Sequence, residues 1–243
     1  MGDSYIYKNQ KKLRWGYTTG TCAAAASLAA AVMLLQGRRM EQVSLTTPKG
    51  IRLDLEVEEM DPGENSVSCG VRKDAGDDPD VTDGLMVYSQ IRLPDADSGD
   101  AGCAGGNYVY EKDGLRLYLS GGVGVGMVTQ CGLSCEVGKA AINPVPRKMI
   151  FEQVAGVCRE SGFKGVLSIE IRVPGAFEVA HRTFNSRLGI RGGISILGTS
   201  GIVEPMSETA LLDTIRLELR QRIRKGEKNL LVTPGNYGES FVG

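Results

Sequence analysis

Four segments of this 243-residue chain concentrate residue types that can do chemistry. Asp74, Asp77, Asp78, Asp80 and Asp83 place five carboxylates within ten residues. Holding them together costs Coulomb repulsion unless a cation or backbone amides offset it. Such a cluster can hold a cation or supply a base, or it can be a solvated turn whose aspartates bond to their own backbone. Its spacing does not fit an EF-hand loop. Thr18, Thr19 and Thr21 stand just before an alanine run, where hydroxyls cap a helix and its amides face anions. Arg147 and Lys148 follow Pro144-Val145-Pro146 and put two cations into a first helical turn, against the helix dipole. That conflict calls for an anion opposite, either a ligand or a carboxylate of the acidic loop. Gly198-Thr199-Ser200-Gly201 and Pro234-Gly235-Asn236-Tyr237-Gly238 each follow an apolar strand-like run, where an α/β sheet binds its ligands. Plain βα turns are the alternative.

Other motifs carry less. Ser120 to Gly126 looks like a glycine-rich nucleotide loop, but Met127 takes the place of the third glycine and no G-K-[ST] follows, so a sharp connection competes with a substrate contact. His181 is the sole histidine, which removes a zinc tetrad for Cys131 and Cys135 and leaves no nucleophile triad. No metal site is therefore expected. With 28 basic and 29 acidic residues the net charge is -1, and no field exists to hold a nucleic acid or an anionic membrane. The apolar stretch Cys22 to Leu35 reads as too short and too alanine-rich to span a bilayer, and nothing before it has a signal-peptide layout. A cytoplasmic protein with reduced cysteines is expected.

The elements that would position these residues follow from patterning. A helix is expected from Cys22 to Gln36, stopped by Gly37. A hairpin spans Val43 to Glu58, and strands are expected at Ser66 to Arg72, Leu85 to Leu93, Tyr108 to Tyr110, Leu115 to Leu119 and Val166 to Val173. A helix covers Arg147 to Glu160, and the stretch Pro94 to Asn107 is a long mobile connection. From Gly193 the pattern becomes strand, helix (Ser207 to Lys225), strand, a βαβ unit with parallel strands. The fold class is thus an α+β portion followed by the start of a parallel α/β domain, with domains at 1–192 and 193–243. Two parallel strands make an incomplete sheet, so the second domain is expected to lack its C-terminal part.

Together the segments Gly16 to Ala25, Lys73 to Thr82, Gly121 to Gly126, Ala141 to Arg147 and Asn185 to Ser207 resemble the cobalt-precorrin-5B C(1)-methyltransferases, the CbiD family, in family order from about residue 14 to Gly238. The resemblance implies a two-part fold and methyl transfer from S-adenosylmethionine to carbon 1 of a ring-contracted cobalt corrinoid, giving cobalt-precorrin-6A. On that basis Gly198, Thr199, Ser200, Gly201, Gly235 and Asn236 are expected at the donor. Thr18, Thr19, Thr21, Asp74, Asp77 and Arg147 are expected at the corrinoid, and Asp78 as a base. A later Gly-His-x-Gly-Lys stretch expected of a full member is absent. The rival readings are a non-catalytic module and a different small-molecule transferase, for instance one acting on a nucleotide.

Overall fold

The computed structural model describes residues 5–8, 11–94, 108–185, 187–224 and 226–229. In chain order its elements open with β1 (Tyr5–Lys8), β2 (Lys11–Arg14), β3 (Gly16–Tyr17), α1 (Thr19–Gln36), β4 (Gln42–Thr46), β5 (Arg52–Glu56), β6 (Glu58–Pro62) and β7 (Ser66–Arg72). They continue with β8 (Met86–Arg92), β9 (Tyr108–Lys112), β10 (Leu115–Gly121), β11 (Gly124–Val125), β12 (Met127–Val128), α2 (Pro144–Glu160), β13 (Gly165–Arg172) and α3 (Ala176–Val179). The short strands β14 (Ile190–Arg191), β15 (Gly193–Ile194) and β16 (Ile202–Val203) precede α4 (Glu208–Arg224).

A six-stranded sheet of order β6-β7-β8-β13-β10-β9 organises the chain. All its pairings are antiparallel except β10 with β13, which α2 connects as a parallel crossover. Parallel strands were expected only beyond residue 193, yet this pair lies in the middle of the first sheet. One face is apolar: Val87 and Ile91 of β8, Leu115, Leu117 and Leu119 of β10, and Leu167, Ile169 and Ile171 of β13 are buried. Helices α1 and α2 cover it, α1 over β7 and β8, α2 beside it over β10. The opposite face carries Arg116, Ser168, Glu170 and Arg172, none of them buried, giving the alternation of a half-buried sheet.

Alanine explains how close α1 lies. Ala23 to Ala26 and Ala29 to Ala31 are fully buried, and without longer side chains the helix backbone approaches its neighbours directly. Ser27 Oγ donates to Ala23 O at 2.7 Å and lies 2.9 Å from Ser89 Oγ, so the polar atoms in this interface are satisfied. Thr18 caps the N-terminus, its hydroxyl accepting from Thr21 N, and Gly37 at φ 63° ends the helix with its amide on Met33 O. By length and composition this 18-residue helix, mean hydropathy 1.5, does meet the criteria for a membrane span. The helix is longer than the Cys22 to Leu35 stretch read from sequence, and most of it is buried against the sheet and α2. Gly20 lies against Pro146, and Gln36 Nε2 reaches Ser161 Oγ at 3.5 Å, so α1 and α2 run parallel with their N-termini together.

Residues 193–207, which patterning assigns to the second domain, are joined to the first compact unit, which ends at Ser207. β15 pairs in parallel with β11, Ile196 bridges Ile142, and β16 pairs with β3. The second unit begins at Glu208, and the strand expected at 230–233 with its glycine loop lies outside the described residues, as does the connection 95–107.

Candidate functional site

Most of the expected site residues meet at the N-terminus of α1. Tyr17 N donates to Asp74 O at 2.8 Å, Thr18 N to Gly201 O at 3.2 Å and Gly20 N to Leu197 O at 3.0 Å. The threonine turn is therefore held between the acidic loop on one side and residues 197–203 on the other. Thr21 Oγ1 donates to Gly201 O at 2.7 Å, and Leu197 N donates to Thr19 Oγ1 at 3.0 Å. Thr18, Thr19 and Thr21 are 5%, 3% and 0% exposed, so these hydroxyls tie the edge together from within. Gly198 at φ 134° lies on the Thr18 side chain and Gly201 at φ 80° on Thr47, which accounts for both glycines by close approach. Ser200 Oγ donates to Ile202 O at 2.9 Å. Thr199 is an exposed residue of the loop. Gly235 and Asn236 fall outside the described residues.

The acidic loop holds itself in place. Asp74 takes Arg14 in a two-pronged ion pair of 2.5 and 2.8 Å and accepts the Gly76 amide at 2.8 Å. Asp77 Oδ2 accepts Arg14 N at 2.6 Å, Asp83 Oδ1 accepts Ala75 N at 2.8 Å, and Asp78 Oδ1 accepts Met206 N at 2.9 Å. Asp80 pairs with Lys73 Nζ at 2.8 Å and accepts the Thr82 amide and hydroxyl at 2.8 and 2.7 Å. Each aspartate thus has a cation or an amide, which is how five charges coexist. Lys73 was not singled out in the sequence; at 3% exposed it is the buried counter-charge of the loop.

These partners move proton affinities. The Arg14 hydrogen bond holds Asp74 below its ordinary 3.8. Burial alone would raise Asp80, but the Lys73 and Thr82 hydrogen bonds outweigh it and leave the carboxyl lowered. Burial pushes the Cys22 thiol beside Lys73 up to about 12. A depressed carboxylate stabilises the fold above its unfolded pKa, and that contribution is lost as pH falls through the folded value. Thermal stability should therefore be flat from about pH 7 to 5 as regards these two groups and fall below about pH 4, where ordinary carboxylates begin to protonate. Replacing both Asp74 and Asp80 with asparagine should flatten that acid limb in a series of melts from about pH 6 to 3.

Arg147 stands apart from the acidic loop. Its guanidinium lies 3.9 Å from the centre of the Tyr108 ring, and Lys148 pairs with Glu152 at 3.7 Å. The opposing groups are thus an aromatic ring and a helical glutamate one turn on, not the loop carboxylates. Tyr108 is fixed by its hydroxyl, which donates to Ala140 O at 2.8 Å, and Lys139 sits 5.2 Å from the same ring. Between β9 and the first turns of α2 these side chains border a cavity of about 560 Å³. Tyr108 reads from sequence only as part of a strand. It lies about 40 positions from Arg147 in the chain, and no periodic pattern links residues so far apart.

The glycine-rich connection resolves into packing. Gly124 at φ 79° lies on the Val173 carbonyl, Gly126 on Ile190, and Gly193 on the Gly124 backbone. Three chain segments meet there without side chains between them. His181 is exposed on a short 3-10 turn.

Comparison with known proteins fits this architecture. A family model described as CbiD matches residues 6–205. A cobalt-precorrin-5B C(1)-methyltransferase of Ruminiclostridium cellulolyticum is 48% identical over 240 residues, covering 99% of this chain and 58% of that protein. One from Thermoanaerobacter sp. is 51% identical over 238 residues, covering 98% of this chain and 59% of its own length. The crystal structure of a cobalamin biosynthesis protein (cbiD) from Archaeoglobus fulgidus superposes with a TM-score of 0.58 at 29% identity, over 88% of this chain and 62% of that one. The chain spans about three-fifths of the length of the curated relatives it matches.

Proposed function

This chain belongs to the CbiD family, and from that premise we propose that it takes part in methyl transfer from S-adenosylmethionine to carbon 1 of cobalt-precorrin-5B. The product is cobalt-precorrin-6A, in anaerobic cobalamin biosynthesis. The observation that carries the reading is the identity, along nearly all of this chain, to proteins named for that reaction. A corrinoid substrate, no nucleic acid partner and a cytoplasmic setting go with it.

A sulfonium donor arrives with its methyl group already electrophilic. The chain's own task is then to align donor and carbon nucleophile in line and to keep water out, which needs rigidity more than acid-base machinery. The edge formed by residues 16–21, 73–83 and 197–206 suits that task, because its hydroxyls and carboxylates are committed to holding one another. Of the Gly198 to Gly201 loop, the exposed Thr199 and the backbone between the two positive-φ glycines are what a donor could meet, and the family resemblance adds Gly235 and Asn236 as donor contacts. Ser200 supports the loop from behind through Ile202. Asp78, which accepts the Met206 amide at one oxygen, is carried as the candidate base on the strength of the family resemblance.

Calorimetry with S-adenosylhomocysteine tests the reading. Binding is expected, and Thr199→Ala and Asn236→Ala should each weaken it about three- to tenfold, the worth of one hydrogen bond. No heat at millimolar ligand would sink the methyltransferase reading, whereas unchanged affinity in both variants would reject this placement of the donor.

A further inference from the structure

Of the three cations bordering the cavity at the start of α2, two have carboxylate partners. Lys139 pairs with Glu136 at 3.0 Å and Lys148 with Glu152 at 3.7 Å. Arg147 has no carboxylate among the described residues, and its Nε is buried without a hydrogen-bond acceptor. A guanidinium carries five donors, and leaving them unmatched in a partly enclosed place is costly unless something else accepts them. The helix itself does not relieve this: the first turn of α2 contains no acidic residue, and its N-terminal end favours a negative charge close by. Nor can the helix end grip an anion with a full set of amides, because Pro144 and Pro146 lack the N–H groups that would do so. The task falls to the side chain.

The walls add a second requirement. Tyr110 and Phe151 stack with ring centres 5.7 Å apart, and Tyr108 receives Arg147 on its ring face. Tyr108 thereby backs the guanidinium, so its fork of donors is presented beside aromatic surface. A ligand suited to both has a carboxylate on a short arm and an apolar body behind it. A free inorganic anion would use the fork and waste the walls.

We propose that this cavity is a subsite for one carboxylate arm of the corrinoid, gripped by Arg147 and backed by Tyr108, Tyr110 and Phe151. The proposal rests on the corrinoid reading above and adds where the acid side chains of that substrate are recognised. Its occupant is a carboxylate, so esterifying the arms should remove the interaction while keeping the ring.

The test is an absorbance titration of the 243-residue chain with cobyrinic acid, a cobalt corrinoid with free carboxylate arms, and with its heptamethyl ester. The unsubstituted chain should bind the acid at least about tenfold more tightly than the ester, the span of a charge-assisted pair. Arg147→Gln should abolish that preference by weakening the acid alone. Arg147→Lys keeps the charge without the fork, should fall between, and serves where the glutamine variant melts early. Arg39→Gln, an exposed arginine elsewhere, should leave both affinities as they were. If Arg147→Gln and Arg147→Lys keep the full preference for the acid, the subsite is wrong while the corrinoid reading stands. If the unsubstituted chain binds neither corrinoid, that reading fails and takes the subsite with it.

Discussion

Gly124→Ala is expected to destabilise the first unit by about 4 kcal/mol, among the largest effects of any one-carbon addition. Gly124 has φ 79°, so a side chain there adopts the left-handed region at a cost of about 1–2 kcal/mol. The larger part is steric. The added methyl group would fall on the carbonyl oxygen of Val173, which is backbone and cannot swing aside. Displacing it would break the Val173 amide bond to Val123 O and the parallel pairing of Gly124 with Gly193. At about 2–4 °C per kcal/mol for a chain of this size, the midpoint of thermal unfolding should fall by roughly 10 °C. Gly37→Ala is the control. It shares the positive φ, 63°, but has nothing within 4 Å of the new atom, so it should cost about 1 kcal/mol. Equal melting of the two variants would show that the contact at Val173 is not rigid.

Lys73→Met should cost about 2–3 kcal/mol, by a different route. Methionine keeps the apolar stem in a place that is 3% exposed, so packing is largely preserved and the loss is electrostatic. Asp80 would remain partly buried without its cation, and Asp74 would lose a nearby counter-charge. The signature that separates this from simple misfit is acid sensitivity. With the cation gone, protonating Asp80 becomes a relief, and the stability lost near neutral pH should be partly recovered at about pH 4 relative to the unsubstituted chain, and further as the pH falls below it. Chemical denaturation at the two pH values measures it. A cost that is the same at both would assign the effect to packing.

Sequence patterning found what is local. The capped alanine helix, the strands Ser66 to Arg72 and Leu85 to Leu93 and the helix after Pro144 each announce themselves through residues within one or two turns. Which strand lies beside which does not. β13 reads like any alternating strand, and its place between β8 and β10 depends on α2 bringing it back in parallel. The stretch from Gly193, read as the opening strand of a second sheet, instead forms the short strand 193–194 in the first unit, and the strand 202–203 has no pattern of its own. Their actual partners, 124–125 and 16–17, lie about 70 and 185 positions away in the chain.

The site shows the same divide. Family resemblance set the threonine turn and the acidic loop at one ligand and Gly198 to Gly201 at another; that all three interlock at the start of α1 was not legible. That Thr18, Thr19 and Thr21 face inward was not either, because a helix cap reads identically whether it opens to solvent or to another loop. The counter-charge of Lys73 and the ring beneath Arg147 are pairings across the fold, and nothing in their immediate neighbours marks them.

The central position of β13 has a consequence for how this chain acquires its structure. Synthesis delivers the sheet as two separate ribbons, β6-β7-β8 and then β9-β10, each with an inner edge of unsatisfied amides and carbonyls. Both edges wait for residues 165–172, which must pair with the two at once after α2 has formed. Closure is thus long-range and late, the kind of step that sets slow folding. Until Arg172 has been made, the nascent protein presents two adhesive borders, and that interval is when a chaperone or a second nascent chain would find it most receptive.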